Sequence, residues 1–250
     1  MISNRDRTEK YSFYQTKCSQ HLHRARLSLR LAVDHIKSTK TNLREYREEA
    51  EKCGLTPTNI LASDMISIAI KTHFLLLKVN FEFFLNHIIY SACDQLFDHL
   101  VKRKGFVSLF KDIRKDIEMA DLLAVIATGN VKEYVLSKVV PQQGLDRFEA
   151  IVKDGLSLSL SDILGEKAWH QIYCAFELRH LIEHQNGRID SRFKRKVNPH
   201  WRKSSWQDVP LDVGAAIKIR EVDFEQTFEA MLSGVDAIGG AITACRPVQA

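Results

Sequence analysis

The chain has 250 residues and a net charge of +5, and its residues are 45% hydrophobic and 27% charged. These proportions are those of a globular protein, and they exclude a disordered or low-complexity chain. The sequence contains only 11 Gly and 5 Pro, and the first residue of either type is Gly54. Because a protein of many strands needs many turns built from Gly and Pro, this composition predicts an all-α fold, a helical bundle.

Two long helical regions are predicted in the first hundred residues. Residues 5–52 place leucines and aromatic residues among charged ones and are followed by a Gly and a Pro, which end helices. We assign residues 1–55 to an N-terminal helical extension and residues 56–250 to the main helical domain. A helix predicted from about residue 58 to 104 is apolar nearly all round, so we expect it in the core.

The rest of the chain predicts shorter elements, interrupted at Gly129 and Pro141. They are two or three helices within residues 105–143, a helix within 146–156, a helix over 165–187, a short strand over 215–219 and a last helix over 223–244. The most apolar region, residues 65–93, is interrupted by polar side chains and predicts no membrane span. These side chains are Lys71, His73, Lys78, Glu82 and His87.

The five cysteines are widely spaced and form no CxxC pair. This pattern favours neither a disulfide framework nor a thiolate zinc site. The first residues also lack the apolar core of a signal peptide. We therefore expect a cytoplasmic protein without a cofactor, and the positive net charge favours an anionic partner such as RNA.

The helix predicted over residues 165–187 has two different faces. At about 100° per residue, an apolar stripe leads into a polar arc of roughly 140°. The stripe consists of Trp169, Ile172, Tyr173 and Phe176, the polar arc of Arg179, His180, Glu183 and His184, and the opposite side of Leu178, Leu181 and Ile182. We expect this helix to be anchored in the core behind and polar in front.

The polar arc has three interpretations. An arginine, two imidazoles and a carboxylate form an acid–base set, because histidine titrates near neutrality and arginine binds phosphate. Alternatively, Arg179 and Glu183, spaced i and i+4, form a surface ion pair beside two solvated histidines. His180 and His184 have a spacing that suits a shared metal ion, but Leu181 stands where the metalloprotease helix carries Glu. Arg179 would also repel a cation, so we expect no metal site.

The segment after Gly187 is rich in cations, and its only acidic residue is Asp190. Cations neutralise phosphates and flat rings stack on unpaired bases, so this mixture favours binding of single-stranded RNA. The predicted RNA-binding residues are Arg188, Arg192, Lys194, Arg195 and Lys196, and the neighbouring rings are Phe193, Trp201 and Trp206. The alternative is a solvated charged surface with structural tryptophans.

Residues 177–190, with the sequence ELRHLIEHQNGRID, resemble the signature of the HEPN superfamily of helical domains. The hallmark of that family is an Arg, then a polar residue, and a His that follows the Arg after four intervening positions. Arg179 and His184 match the Arg-His pair, and His180 occupies the polar position. Asn186 and the glycine after it resemble the turn that often follows.

The resemblance implies a helical bundle, commonly a homodimer, in which the Arg-His pairs of both subunits face one cleft. A two-fold contact next to the aromatic stripe would join two such polar arcs. Many members cleave RNA without a metal. The segment from Val213 to Ile219 and the final helix also resemble the ends of HEPN proteins of bacterial toxin and antiviral defence systems, which implies an antitoxin or defence-system partner.

The expected activity is therefore that of an endoribonuclease in which a ribose 2′-hydroxyl attacks the adjacent phosphate. His184 is the expected proton-transfer residue, and Arg179 holds the phosphoryl oxygens. His180 is an auxiliary proton donor or phosphate ligand, and Glu183 orients Arg179 or a histidine. Glu82 is a further candidate, or it neutralises a buried base. The alternative function is a non-catalytic module that binds RNA or a partner such as a nucleotidyltransferase.

Overall fold

A computed structural model of the chain describes residues 4–38, 52, 62–104, 125, 127, 129–139, 144–185 and 187–245. Within these ranges the protein is all-α, as the composition predicts, with eight α-helices and no strand. The helices are α1 Asn4–Ser38, α2 Ala62–Gln95, α3 Phe97–Leu100, α4 Val131–Val139, α5 Leu145–Ile151, α6 Leu160–His184, α7 Ser191–Trp201 and α8 Glu221–Ala244. A short π-helix, Val152–Leu156, continues α5.

The long apolar helix α2 lies at the centre of the bundle. It packs against α1, α8 and α6, and α1 lies along both α2 and α8. Tyr11 and Leu22 of α1 are buried in the same core as Phe81 of α2. The part of α1 that the structure describes therefore belongs to the bundle. The domain boundary predicted at residue 55 stays a prediction, because residues 53–61 lie outside the described ranges.

Two glycines define the helix that carries the predicted site. Gly165, where this helix is predicted to begin, has φ 73° and ψ 160° and marks a kink within α6. Gly187 has the left-handed φ of 72° that suits a residue closing a helix, and its N–H donates to the Leu181 carbonyl at 3.1 Å. Asn186 lies outside the described residues, as do most of residues 105–143, where α4 is the helix that the structure describes.

The segment after Gly187 differs from expectation in two ways. It forms α7, a helix that was not predicted from the sequence. Asp190 caps this helix by accepting a hydrogen bond of 2.6 Å from the Phe193 N–H. The short strand predicted over residues 215–219 is wrong, since the backbone forms only one isolated bridge, between Ala216 and Arg188. The loop between α6 and α7 is too short to continue a ladder.

Candidate active site

A cleft of about 420 Å³ lies between the last turns of α6 and the first turns of α7. All of the predicted catalytic residues line it: Arg179, His180, Glu183 and His184. Arg192 and Lys196, from the predicted RNA-binding set, line its other side. The structure therefore brings the predicted catalytic residues and two of the five predicted RNA-binding residues together in one concave surface.

The loop between α6 and α7 is held by the segment before α8. The Ile189 N–H donates to the Ala215 carbonyl at 2.9 Å, and the Gly214 N–H donates to the Ile189 carbonyl at 2.8 Å. The Ile217 N–H donates to the Gly187 carbonyl at 2.8 Å. These hydrogen bonds fix the two helix ends that form the cleft.

The polar arc of α6 is divided between two neighbouring helices. Arg179 lines the cleft and also lies within electrostatic reach of Lys78 on α2, and His180 and His184 line the cleft with Arg192 of α7. In the apolar stripe, Ile172, Tyr173 and Phe176 are buried within the single chain. Those three side chains are covered without a second subunit, so the homodimer stays a prediction that rests on the family resemblance.

Arg179 and Glu183 form the ion pair that their spacing predicts, with Nε of Arg179 2.7 Å from Oε2 of Glu183. The two atoms are close, but the geometry of the Nε–H group is not that of a hydrogen bond. Partly exposed pairs of this type contribute about 0.3–0.5 kcal/mol. Among the described residues, none accepts a hydrogen bond from the terminal nitrogens of Arg179. Those donors therefore have no internal competitor for an anion that enters the cleft.

His180 and His184 are exposed neighbours, with ring centroids 4.7 Å apart and planes inclined by 53°. In the described part of the chain neither imidazole has a hydrogen bond or an acidic partner. Their ring nitrogens are therefore open to a ligand in the cleft. Across the described ranges, no group of three or more His, Cys, Asp and Glu side chains is arranged to hold a metal ion.

The cleft is the open end of a polar seam between α6 and α7. We define the seam by a polar row of α6 side chains, which are spaced three or four residues apart, and by the side chains that face this row. The α6 side comprises Glu166, His170, Tyr173, Glu177, His180 and His184, and the facing side comprises Arg192, Lys196, His200 and Lys203. Most of this seam is paired internally.

At the closed end of the seam, contacts join the two sides. Lys203 Nζ lies 2.7 Å from Glu166, and the Nδ1 atoms of His170 and His200 are 2.8 Å apart. Further along, Lys196 Nζ lies 2.8 Å from Glu177. These pairs neutralise one another, so the closed end has no free charge to offer a ligand.

The charge balance changes at the open end. Arg192 faces His180 and His184, and no acidic side chain within the described ranges pairs with it. Two nearby acids are already engaged, since Asp190 caps α7 and Glu183 contacts Arg179. The open end therefore combines unpaired cationic charge with two imidazoles, which suits a phosphate.

Three of the predicted RNA-binding residues lie outside the cleft. Arg188 donates a hydrogen bond of 3.0 Å to the Gly214 carbonyl, and its side chain is directed away from the cleft lining. Lys194 and Arg195 are exposed on α7 but do not line the cleft. They remain available only to phosphates that run along the outer surface of α7.

The rings expected to stack on bases are part of the core. Phe193, Trp201 and Trp206 are only 6%, 2% and 0% exposed. Phe193, Val197 and Trp201 recur every four residues and form the buried face of α7, which explains why the cations occupy its other faces. The prediction that these three rings stack on bases is therefore wrong, and both tryptophans are structural.

Lys78 is a residue beneath the site that the sequence pattern did not single out. It is fully buried, with Nζ 2.5 Å from Oε2 of Glu82 and 4.8 Å from the centroid of the Phe176 ring. Burial lowers the pKa of Lys78, and Glu82 opposes that shift. Glu82 thus neutralises a buried base, one of its two expected roles. A lysine in an apolar helix with Glu at i+4 was the available signal.

Comparison with protein-family models, curated proteins and solved structures finds no match to this chain. None of the described helices combines the length and hydropathy that crossing a membrane requires.

Proposed function

We propose that this protein is a metal-independent endoribonuclease of HEPN type that acts on single-stranded RNA. The observation that carries the proposal is the meeting of Arg179, His180, His184 and Arg192 in one cleft, where no acid in the described chain neutralises Arg192. A phosphodiester would supply the missing negative charge. The imidazoles would supply the proton transfers that its cleavage needs.

The proposed reaction is attack of a ribose 2′-oxygen on the adjacent phosphorus. His184 takes the proton of the 2′-hydroxyl as the new bond forms, and the bond from phosphorus to the 5′-oxygen of the next nucleotide breaks. His180, one helical turn earlier, donates a proton to that leaving oxygen. The terminal nitrogens of Arg179 bind the nonbridging oxygens as charge develops. The products carry a 2′,3′-cyclic phosphate and a 5′-hydroxyl.

The remaining residues bind and orient the RNA. Glu183 contacts Nε of Arg179 and so directs the guanidinium, while Arg192, which has no acidic partner among the described residues, would hold a neighbouring phosphate. Because the rings of Phe193 and Trp201 are buried, α7 would contact the phosphates of the RNA backbone rather than stack on bases. Binding through this helix should therefore depend strongly on salt and weakly on sequence.

The biological setting that we propose is a cytoplasmic toxin or antiviral defence system. The enzyme would act as a homodimer and be restrained by an antitoxin or another defence-system partner. This part of the proposal is supported by the resemblance of residues 177–190 to the HEPN signature, and of residues 213–219 and the final helix to the ends of HEPN proteins of such systems.

Incubation of the purified protein with mixed RNA in excess EDTA tests the proposed activity. We expect cleavage by the wild type, fragments ending in a 2′,3′-cyclic phosphate or 3′-phosphate by mass spectrometry, and no cleavage by His184→Ala. Binding without cleavage by the wild type would favour the non-catalytic module. Activity that is lost in EDTA and restored by a divalent ion would contradict the metal-independent mechanism.

A further inference from the structure

Beneath the cleft, α2 contains a buried ion pair that the proposed reaction does not use. Lys78 is fully buried and contacts Glu82, one helical turn later, at 2.5 Å. Replacing a buried ion pair by apolar side chains of similar volume often leaves stability unchanged or improves it. The presence of this pair is therefore better explained by what it does to its neighbours than by stability.

The neighbours of Lys78 belong to the cleft. Its Nζ lies 4.8 Å from the centroid of the Phe176 ring, and Phe176 lines the cleft one turn before Arg179. After the larger effects of burial and of Glu82, Arg179 lowers the pKa of Lys78 and Glu183 raises it. Lys78 thus interacts electrostatically with both members of the Arg179–Glu183 pair as well as with Glu82, and the two ion pairs form one cluster at the base of the site.

The two carboxylates of this cluster could compete for Arg179. Oε1 of Glu82 is buried and has no hydrogen-bond partner among the described residues, and Nε of Arg179 is buried without a directed hydrogen bond. If Lys78 were uncharged, Arg179 would be the remaining cation of the cluster for Glu82. A carboxylate held in a poorly solvated place gains strongly from such a pairing, which would draw the guanidinium away from the cleft.

We infer that Lys78 is a positioning residue: by holding Glu82, it leaves the terminal nitrogens of Arg179 for the substrate phosphate. The inference rests on the proposed function, because it requires that the cleft bind a phosphate. Lys78 is absent from the cleft lining, so it acts through Glu82 and Arg179 and does not touch the substrate.

Binding of an RNA that cannot be cleaved tests this role. The probe is a fluorescent single-stranded oligoribonucleotide with 2′-O-methyl groups, and its Kd is measured by anisotropy. We expect Lys78→Met to weaken binding by about tenfold or more, the loss typical of one charge-assisted hydrogen bond. Glu82→Gln and the double variant Lys78→Met/Glu82→Gln should bind within about twofold of the wild type, since neither retains the Glu82 carboxylate that would draw Arg179 away.

Rescue by the second substitution distinguishes positioning from a general structural role. If the double variant binds as weakly as Lys78→Met, competition by Glu82 is not the cause and the inference is overturned. Lys132→Met is the matched control, because it removes a cation that pairs with Asp94 at 2.9 Å. Asp94 lies about 24 Å along α2 from Lys78, so this control should bind like the wild type.

The remaining outcomes also decide between the two proposals. A wild type that does not bind the probe overturns the proposed function and this inference with it. A wild type that binds, with an unchanged Kd for Lys78→Met, overturns the inference alone. If Lys78→Met does not fold, the other two variants still test the role, because a weakening of about tenfold in either contradicts it.

Discussion

At the closed end of the seam, His170 and His200 share a contact of 2.8 Å between their Nδ1 atoms, and the Tyr173 ring stacks on His200 with centroids 3.7 Å apart. At the open end, His180 and His184 lie with ring centroids 4.7 Å apart and have no hydrogen bond in the described chain. His170, His180 and His184 all belong to the polar row of α6, so helical periodicity does not distinguish the closed end from the open end. The side chains facing them do.

Histidines on one helix therefore differ in the side chains that surround them. Partly buried and paired imidazoles at the closed end join α6 to α7, so their loss should be seen in stability. Exposed imidazoles at the open end join nothing within the described residues, so their loss should be seen in activity. Substitutions at the two ends should therefore give opposite patterns of stability and rate.

The largest expected difference is in the cleavage rate. His184→Ala and Arg179→Ala should each lower the single-turnover rate by about a hundredfold or more, because a proton-transfer or charge-stabilising group typically contributes that much. Circular dichroism should still show a folded helical protein, because both side chains are partly or fully exposed.

His200→Ala is the matched substitution at the closed end. It removes the stack on Tyr173 and the contact with His170, so the free energy of unfolding should fall by about 1 kcal/mol while the rate changes by less than about threefold. Thermal unfolding and single-turnover kinetics measure both effects. If His200→Ala slows cleavage as much as His184→Ala, the two ends of the seam do not have separate roles.

The open end could be predicted from sequence because its signals are local. The polar arc needs only helical periodicity, and the helix end needs only a glycine that tolerates the left-handed φ at Gly187. The all-α class likewise follows from the scarcity of Gly and Pro. The closed end depends on how α7 packs against α6. The apolar face of α7, formed by Phe193, Val197 and Trp201, was hard to recognise because cationic residues surround it in the sequence.

The Lys78–Glu82 spacing is visible in the sequence, but the position of Lys78 beneath the site could not be predicted, for a different reason. Its contact with Phe176 joins α2 to α6 across about a hundred residues of sequence, and no periodicity within either helix specifies that pairing. The single bridge between Arg188 and Ala216 shows the same limit, since a β-like pattern does not reveal whether a partner strand exists. Contacts between distant segments had to come from the fold.

A smaller effect is expected from the outer cations of α7. Lys194 and Arg195 have no acidic partner among the residues described, so changing both to Ala should lower the slope of log Kd against log salt by about 1.4, or about 0.7 for each lost phosphate contact. Adding Lys196→Ala should change the slope less, because Lys196 already contacts Glu177 and Asp146 at 2.8 and 3.7 Å. Turnover at saturating RNA should change little.

Titrations of the RNA affinity against salt provide the measurement for the wild type and both variants. An unchanged slope would mean that the outer surface of α7 is solvated and takes no part in binding. A larger change from Lys196→Ala than from the other two together would place the main phosphate contacts inside the cleft.

The smallest effect concerns the pH dependence of stability. Burial lowers the pKa of His170 and His200 from the ordinary value of 6.5. The unfolded chain then binds protons that the folded chain does not, so this contribution is present above pH 6.5 and lost as the pH falls through the lower folded pKa values. The charged and titratable groups around the pair are Glu166, Lys203, Lys196, Asp146 and Tyr173.

We therefore expect a lower Tm at about pH 5 than at about pH 7.5. The difference should shrink in His170→Gln, which removes one titrating ring from the closed end. Differential scanning calorimetry at both pH values measures it. An equal difference in the wild type and the variant would assign the pH dependence to groups outside this pair.

The central claim is that the ribose 2′-hydroxyl is the nucleophile, positioned beside His184 and Arg179. An oligoribonucleotide with one 2′-deoxy sugar on the 5′ side of a mapped cleavage position tests it most directly, in excess EDTA and beside the all-ribose parent. We expect scission to stop at that position and to continue at neighbouring ribose positions, because intramolecular attack needs the missing hydroxyl. Cleavage there at the rate of the parent would mean that water is the nucleophile, and it would contradict the roles proposed for both residues.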